Sequence, residues 1–123
     1  MADQSPQIFV ANIGVINNAQ LPLFKVPAGF GGITIIGAQA TFLTAGTAAL
    51  YLIDAGSAGT STSGGTLASY GGTAYTAKTP SAFSVSSGTS AYLAEGSYLA
   101  VKEANVGSTV TVTEVAITYR FGK

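Results

Sequence analysis

The apolar residues of this chain come in short runs, and Gly, Pro or Asn ends nearly every one. No other feature narrows the fold as much, because short β-branched and aromatic runs between turn residues read as strands. No window sets apolar residues at i, i+3, i+4 and i+7 with helix formers between them. Residues 48–52, Ala-Ala-Leu-Tyr-Leu, are the one tempting helical stretch, and they are too few to stand alone. Strands are predicted at 8–16, 21–26, 33–43, 48–54, 67–70, 83–85, 91–93, 98–103 and 109–121. Segments 91–93 and 98–103 read as a hairpin around Glu95-Gly96. The expectation is an all-β chain: a single-domain antiparallel β-sandwich, jelly-roll-like, of about eight strands. Residues 1–7 read as an N-terminal arm and 8–123 as the sandwich domain.

Two long strands break their own alternation. In 109–121, Val110 and Val112 share one parity, whereas Val115, Ile117, Tyr119 and Phe121 share the other. Ile33 and Ile35 give way to Ile36, Ala38, Ala40 and Phe42 in the same manner. A one-residue slip moves every side chain to the opposite face of a sheet. Either a β-bulge near Thr113-Glu114 and another near Ile36 keep the apolar rows on one face, or a neighbouring subunit covers both faces.

Charge is scarce. Of 123 residues only ten are charged, five of each sign, against 47% apolar. A folded chain of this size exposes roughly 6,100 Å², so each charge serves about 600 Å² of surface. A surface this neutral associates readily, so part of it reads as an interface. The same inventory excludes much chemistry. With no Cys there is no disulfide, thiolate nucleophile or zinc–thiolate site, and with no His no Ser-His triad or imidazole ligand. Lys25, Lys78, Lys102, Arg120 and Lys123 form no basic run, so no nucleic-acid partner is expected. No apolar run approaches the length of a membrane span, and no partner membrane is expected. The first residues, Met1-Ala2-Asp3-Gln4-Ser5-Pro6, lack the pattern of a secretory signal, so synthesis in the cytoplasm is expected.

The acids Asp3, Asp54, Glu95, Glu103 and Glu114 sit in no catalytic or calcium-binding motif, and solvated turn or edge positions suit them better. Asp54 precedes Ala55-Gly56, which suits turn initiation. Gly29-Phe30-Gly31-Gly32 lacks the third glycine and following helix of a dinucleotide fingerprint and reads as a tight β-turn. No catalytic, metal or cofactor-binding residue is assigned, and the chain is read as not an enzyme. Residues 55–65 have the composition of a flexible loop that could order on a partner. Contact residues are expected in two places. The polar arm Ala2, Asp3, Gln4, Ser5, Pro6 and Gln7 can lie across a neighbour. Tyr70 and Tyr75, flanking Gly71-Gly72 in an uncharged stretch, can anchor an interface or stack on a sugar.

Two stretches carry a family resemblance. One is Val26-Pro27-Ala28-Gly29-Phe30-Gly31-Gly32-Ile33-Thr34-Ile35. The other runs from Leu93-Ala94-Glu95-Gly96-Ser97-Tyr98-Leu99-Ala100-Val101 into Val106-Gly107-Ser108-Thr109-Val110-Thr111-Val112. Together they resemble the small β-sandwich capsid decoration (cement) proteins of tailed bacteriophages. The resemblance implies a homo-oligomer, with a trimer favoured. It implies a place on the capsid exterior of the virion, and the major capsid protein as partner. The implied function is to stabilise the shell by bridging neighbouring capsid subunits, without chemistry. Two other readings fit the same composition: a carbohydrate- or receptor-binding sandwich of a phage tail or fibre, and another ring-forming virion structural protein.

Overall fold

Turn residues cut the chain into eleven short strands in the computed structural model, which describes residues 5–16, 20–44, 46–61, 64–103 and 110–123. They are β1 (Gln7–Ala11), β2 (Gly14–Ile16), β3 (Gln20–Lys25), β4 (Ile33–Phe42), β5 (Gly46–Asp54) and β6 (Thr66–Tyr75). Then follow β7 (Ser81–Ala82), β8 (Ser84–Val85), β9 (Tyr92–Leu93), β10 (Tyr98–Glu103) and β11 (Val110–Phe121). Among the described residues the helical content is one 3₁₀ turn, Gly88–Ala91.

The strands form two antiparallel sheets. The first has the order β1-β11-β4-β7, with β2 also on β11 and β9 also on β4. The second has the order β3-β10-β5-β6-β8. Eight of these strands make the body: β1, β3, β4, β5, β6, β7, β10 and β11. Numbered one to eight along the chain, they run 1-8-3-6 in the first sheet and 2-7-4-5 in the second, which is the jelly roll. The expected β-sandwich is therefore present, with eleven strands rather than about eight, the surplus being the short β2, β8 and β9.

Both phase flips are bulges. Register shifts between Val112 and Glu114 where β11 meets β4, and Thr113 Oγ donates to the Thr41 carbonyl at 3.0 Å. A second shift lies where Thr118 pairs Gly37 and Tyr119 pairs Ile35, leaving Ile36 as the extra residue. Val112, Val115 and Ile117 consequently line one buried row, as do Ile33, Ile35, Ala40 and Phe42. Covering of both faces is not needed to explain either flip.

The core lies between the sheets and is bridged by aromatic pairs. Phe42 of the first sheet meets Tyr70 of the second at 5.9 Å between centroids, and Tyr70 meets Phe83 at 6.1 Å. Toward the other edge, Phe9 on β1 packs on Phe24 of β3 at 4.7 Å. Phe30 stacks on Phe121 at 4.4 Å.

Several local expectations are corrected. Segment 8–16 is two strands, broken at Asn12-Ile13, where Gly14 takes φ 83°. Segments 91–93 and 98–103 are not a hairpin: β9 joins β4 in the first sheet and β10 joins β3 and β5 in the second. The Glu95-Gly96 turn is thus a crossing between sheets. It is tied to the turn after β3, since Gly96 N donates to the Val26 carbonyl and Gly29 N to Glu95 Oε2, at 2.9 and 3.0 Å. Strand β6 continues through residue 75, well past the expected 67–70.

Gly32 shows why this region needs glycine. Its φ is 84°, and a Cβ there would come within 2.6 Å of the Tyr92 ring, whose hydroxyl donates to the Gly31 carbonyl at 2.8 Å. Gly32→Ala is expected to cost about 2 kcal/mol, from left-handed backbone strain plus displacement of Tyr92. Thermal melting checks this, and an unchanged midpoint would show that the turn re-forms freely.

Candidate interaction surface

The two sheets treat their outer faces differently. On the second sheet, Ile53, Ala55 and Ala100 form a separate small cluster, with Tyr51 and Tyr98 packed against it. The segment after β5 folds over that side. Tyr98 N donates to the Gly56 carbonyl at 2.9 Å, Ser61 N to the Ala55 carbonyl at 3.0 Å, and Gln20 Nε2 to the Ser61 carbonyl at 2.8 Å. Asp54 starts the turn by accepting from Gly56 N at 2.9 Å, as its sequence position suggests. Gly59 lies buried against Tyr98. The described part of the supposed flexible loop, 55–61 and 64–65, is thus a hydrogen-bonded cover at its base.

The first sheet has no such cover among the described residues. Its outward row on β11 is Glu114, Ala116, Thr118 and Arg120, alternating with the inward Val115, Ile117, Tyr119 and Phe121. Ile8 and Val10 on β1 stand opposite Thr118 and Ala116, and are 70% and 52% exposed. Val15 on β2 faces Thr111 and is 68% exposed, and Ile36, at its bulge, is also exposed. Small residues in the middle leave a shallow groove of about 460 Å³ lined by Ile8, Gly37, Gln39, Ala116 and Thr118. Single exposed apolar residues are normal on a surface, but Ile8 and Val10 are neighbours on one side of the same strand.

One end of this face is cationic. A pocket of about 220 Å³ is lined by Thr34, Gly88, Tyr92, Arg120 and Lys123. Lys123 Nζ lies 4.9 Å from the centroid of the Tyr92 ring, within cation–π range. Two of the chain's five cations therefore converge on one small pocket.

The residues singled out from sequence fall elsewhere. Ala2, Asp3 and Gln4 lie outside the described residues. Ser5 and Pro6 are exposed, but Gln7 is the first residue of β1, paired with Tyr119, and so belongs to the sheet and not to the arm. Tyr70 is not an exposed aromatic: it is 9% exposed, between Phe42 and Phe83, because its parity on β6 points inward. Tyr75 pairs with Gly46 at the end of β6, and its side chain lies outside the described part. Glu103 is likewise not a solvated edge acid, being fully buried beside Leu99 and Val101 on the inward row of β10. Among the described residues, no group of three Asp or Glu converges as a metal site would require. The signal that could have found the outer face was the pair Ile8 and Val10, whose shared parity excludes the inward Phe9.

No family model matches the chain, and no curated protein matches it. Among solved structures, that of the infectious bursal disease virus Gx strain aligns over 98% of this chain and 30% of that one. The identity is 14% and the TM-score 0.34. The chain thus spans about 30% of the length of that protein, and a likeness this low carries no argument about fold or function.

Proposed function

We propose that the chain is a non-enzymatic virion structural protein that decorates the outside of a bacteriophage capsid and bridges neighbouring capsid subunits. The carrying observation is the outer face of the first sheet, where apolar residues stand exposed while the second sheet covers its own. The jelly-roll topology supports the reading by analogy alone, since this fold recurs in viral capsids and also in lectins and cupins. The sequence resemblance to decoration proteins points the same way. Stabilisation would work by mass action: a protein that binds the assembled shell and not its free subunits adds RT ln(1 + [L]/Kd) per site, about 4 kcal/mol at 1,000 Kd. The glycan-binding alternative loses one of its two aromatic candidates with the burial of Tyr70.

Sedimentation with undecorated phage heads tests the proposal. Saturable binding at a fixed ratio to the major capsid protein, with a higher melting temperature of the shell, is the expected result. Absence of binding together with a positive glycan array would overturn it. The arm has its own test. Deleting residues 2–6 leaves Gln7 in its pairing with Tyr119, and is expected to weaken shell binding at least about tenfold through lost avidity. Unchanged binding would remove the arm from the mechanism.

A further inference from the structure

The outward row of β11 is arranged symmetrically about its own middle. Glu114 and Arg120 are equidistant from Ile117, with Ala116 and Thr118 between them. Neither charge has an ion-pair partner among the described residues, and both are half-buried. Six residues at about 3.3 Å each separate them by roughly 20 Å along the strand. Beside Arg120 lies the pocket that Lys123 and Tyr92 complete, a cationic socket with no acid lining it.

We propose that this face is a two-fold self-association surface, on which β11 of one copy lies antiparallel across β11 of a second. A two-fold axis level with Ile117 sets Glu114 of each copy at the Arg120–Lys123 pocket of the other. The same operation places Ala116 over Thr118. On β1 it places Val10 over Ile8, because those residues pair with Ala116 and Thr118. Acid meets base, small meets small and apolar meets apolar, which is the self-complementarity that an isologous interface requires. The small residues of the groove let the two sheets approach closely. Four strands about 4.8 Å apart, over some 25 Å of length, give roughly 500 Å² per copy. The two copies together bury about 1,000 Å², below the standard range of about 1,200–2,000 Å², so association no tighter than micromolar is expected. A two-fold contact closes at two copies, a dimer where the sequence resemblance implies a trimer. The proposal rests on the preceding reading only in taking this face as an association surface, and a face closed on a second copy leaves the shell to be met by other parts of the dimer.

Charge swapping tests it, with mass read by sedimentation equilibrium across micromolar to millimolar protein. Glu114→Lys and Arg120→Glu should each raise the dimer dissociation constant at least about tenfold, since each places like charges together twice per dimer. The double variant Glu114→Lys/Arg120→Glu should return it to within about threefold of wild type. High salt should weaken the wild-type dimer. All three variants should melt near wild type, because neither residue is ion-paired within its own chain among the described residues. A wild-type monomer throughout the range would overturn the proposal. So would single variants without effect, a double variant that fails to recover, or a trimer indifferent to charge. Shell binding is read separately: dimers that ignore phage heads would refute decoration and leave the dimer standing, whereas a charge-indifferent oligomer that binds heads would do the reverse.

Discussion

Phe42→Ala is expected to lose ~3–5 kcal/mol, the range for emptying a fully enclosed aromatic site. Phe42 is the end residue of β4 and has no exposed surface. It reaches from the first sheet to Tyr70 on the second, and Tyr70 leans in turn on Phe83. Removing the ring therefore opens a cavity where the two sheets are held apart at the correct spacing, and also strips Tyr70 of an aromatic neighbour. Domains of this size have about 5–15 kcal/mol in total, so the variant will sit near its unfolding threshold. A melting temperature lower by ten degrees or more is the readout. Phe42→Leu serves as the milder partner, retaining most of the volume and losing less than half as much. A loss below about 1 kcal/mol in the alanine variant would mean the sheets close over the gap, and that Phe42 does not set their spacing.

Glu103→Ala is expected to be nearly as damaging, for a different reason. Glu103 is fully buried, sits opposite Leu50 on the inward row of β10, and is engaged by an interaction partner. Alanine takes that contact away and leaves a cavity where the fully enclosed side chain stood. Together these come to about 3 kcal/mol. Glu103→Gln keeps the volume and one carbonyl acceptor, so it should retain more than half of what alanine loses. Urea unfolding resolves the two variants: the midpoint should fall with an unchanged slope. Equal stability of all three proteins would show that the carboxylate is not built into the core.

The chain's own residues carried the fold class. Gly, Pro and Asn between short apolar runs already exclude helices, because no run is long enough to nucleate one and the turn residues prevent joining them. The parity flips near Thr113 and Ile36 were also legible as local signals, while the choice between a bulge and a covering neighbour came from the pairing of β11 with β4. So was the turn-starting role of Asp54. All of these depend on residues near one another in the chain.

What the sequence did not contain was partnership. Leu93 and Tyr98 look like the two arms of a hairpin, yet the Glu95-Gly96 turn sends them to different sheets, held at the corner by the bonds from Gly96 N to the Val26 carbonyl and from Gly29 N to Glu95. Tyr70 and Glu103 carry groups that favour water, and composition assigned them to the surface. Both are inside because the residues flanking them fix their parity, and an inward position on either strand meets the opposite sheet. Ile8 and Val10 lie more than a hundred residues from Ala116 and Arg120, and the four come together only when β1 pairs with β11. Local alternation determines which side of a strand is apolar. Only the closing of one sheet on the other determines which apolar sides are used up in the core, and which stay exposed, as Ile8 and Val10 do.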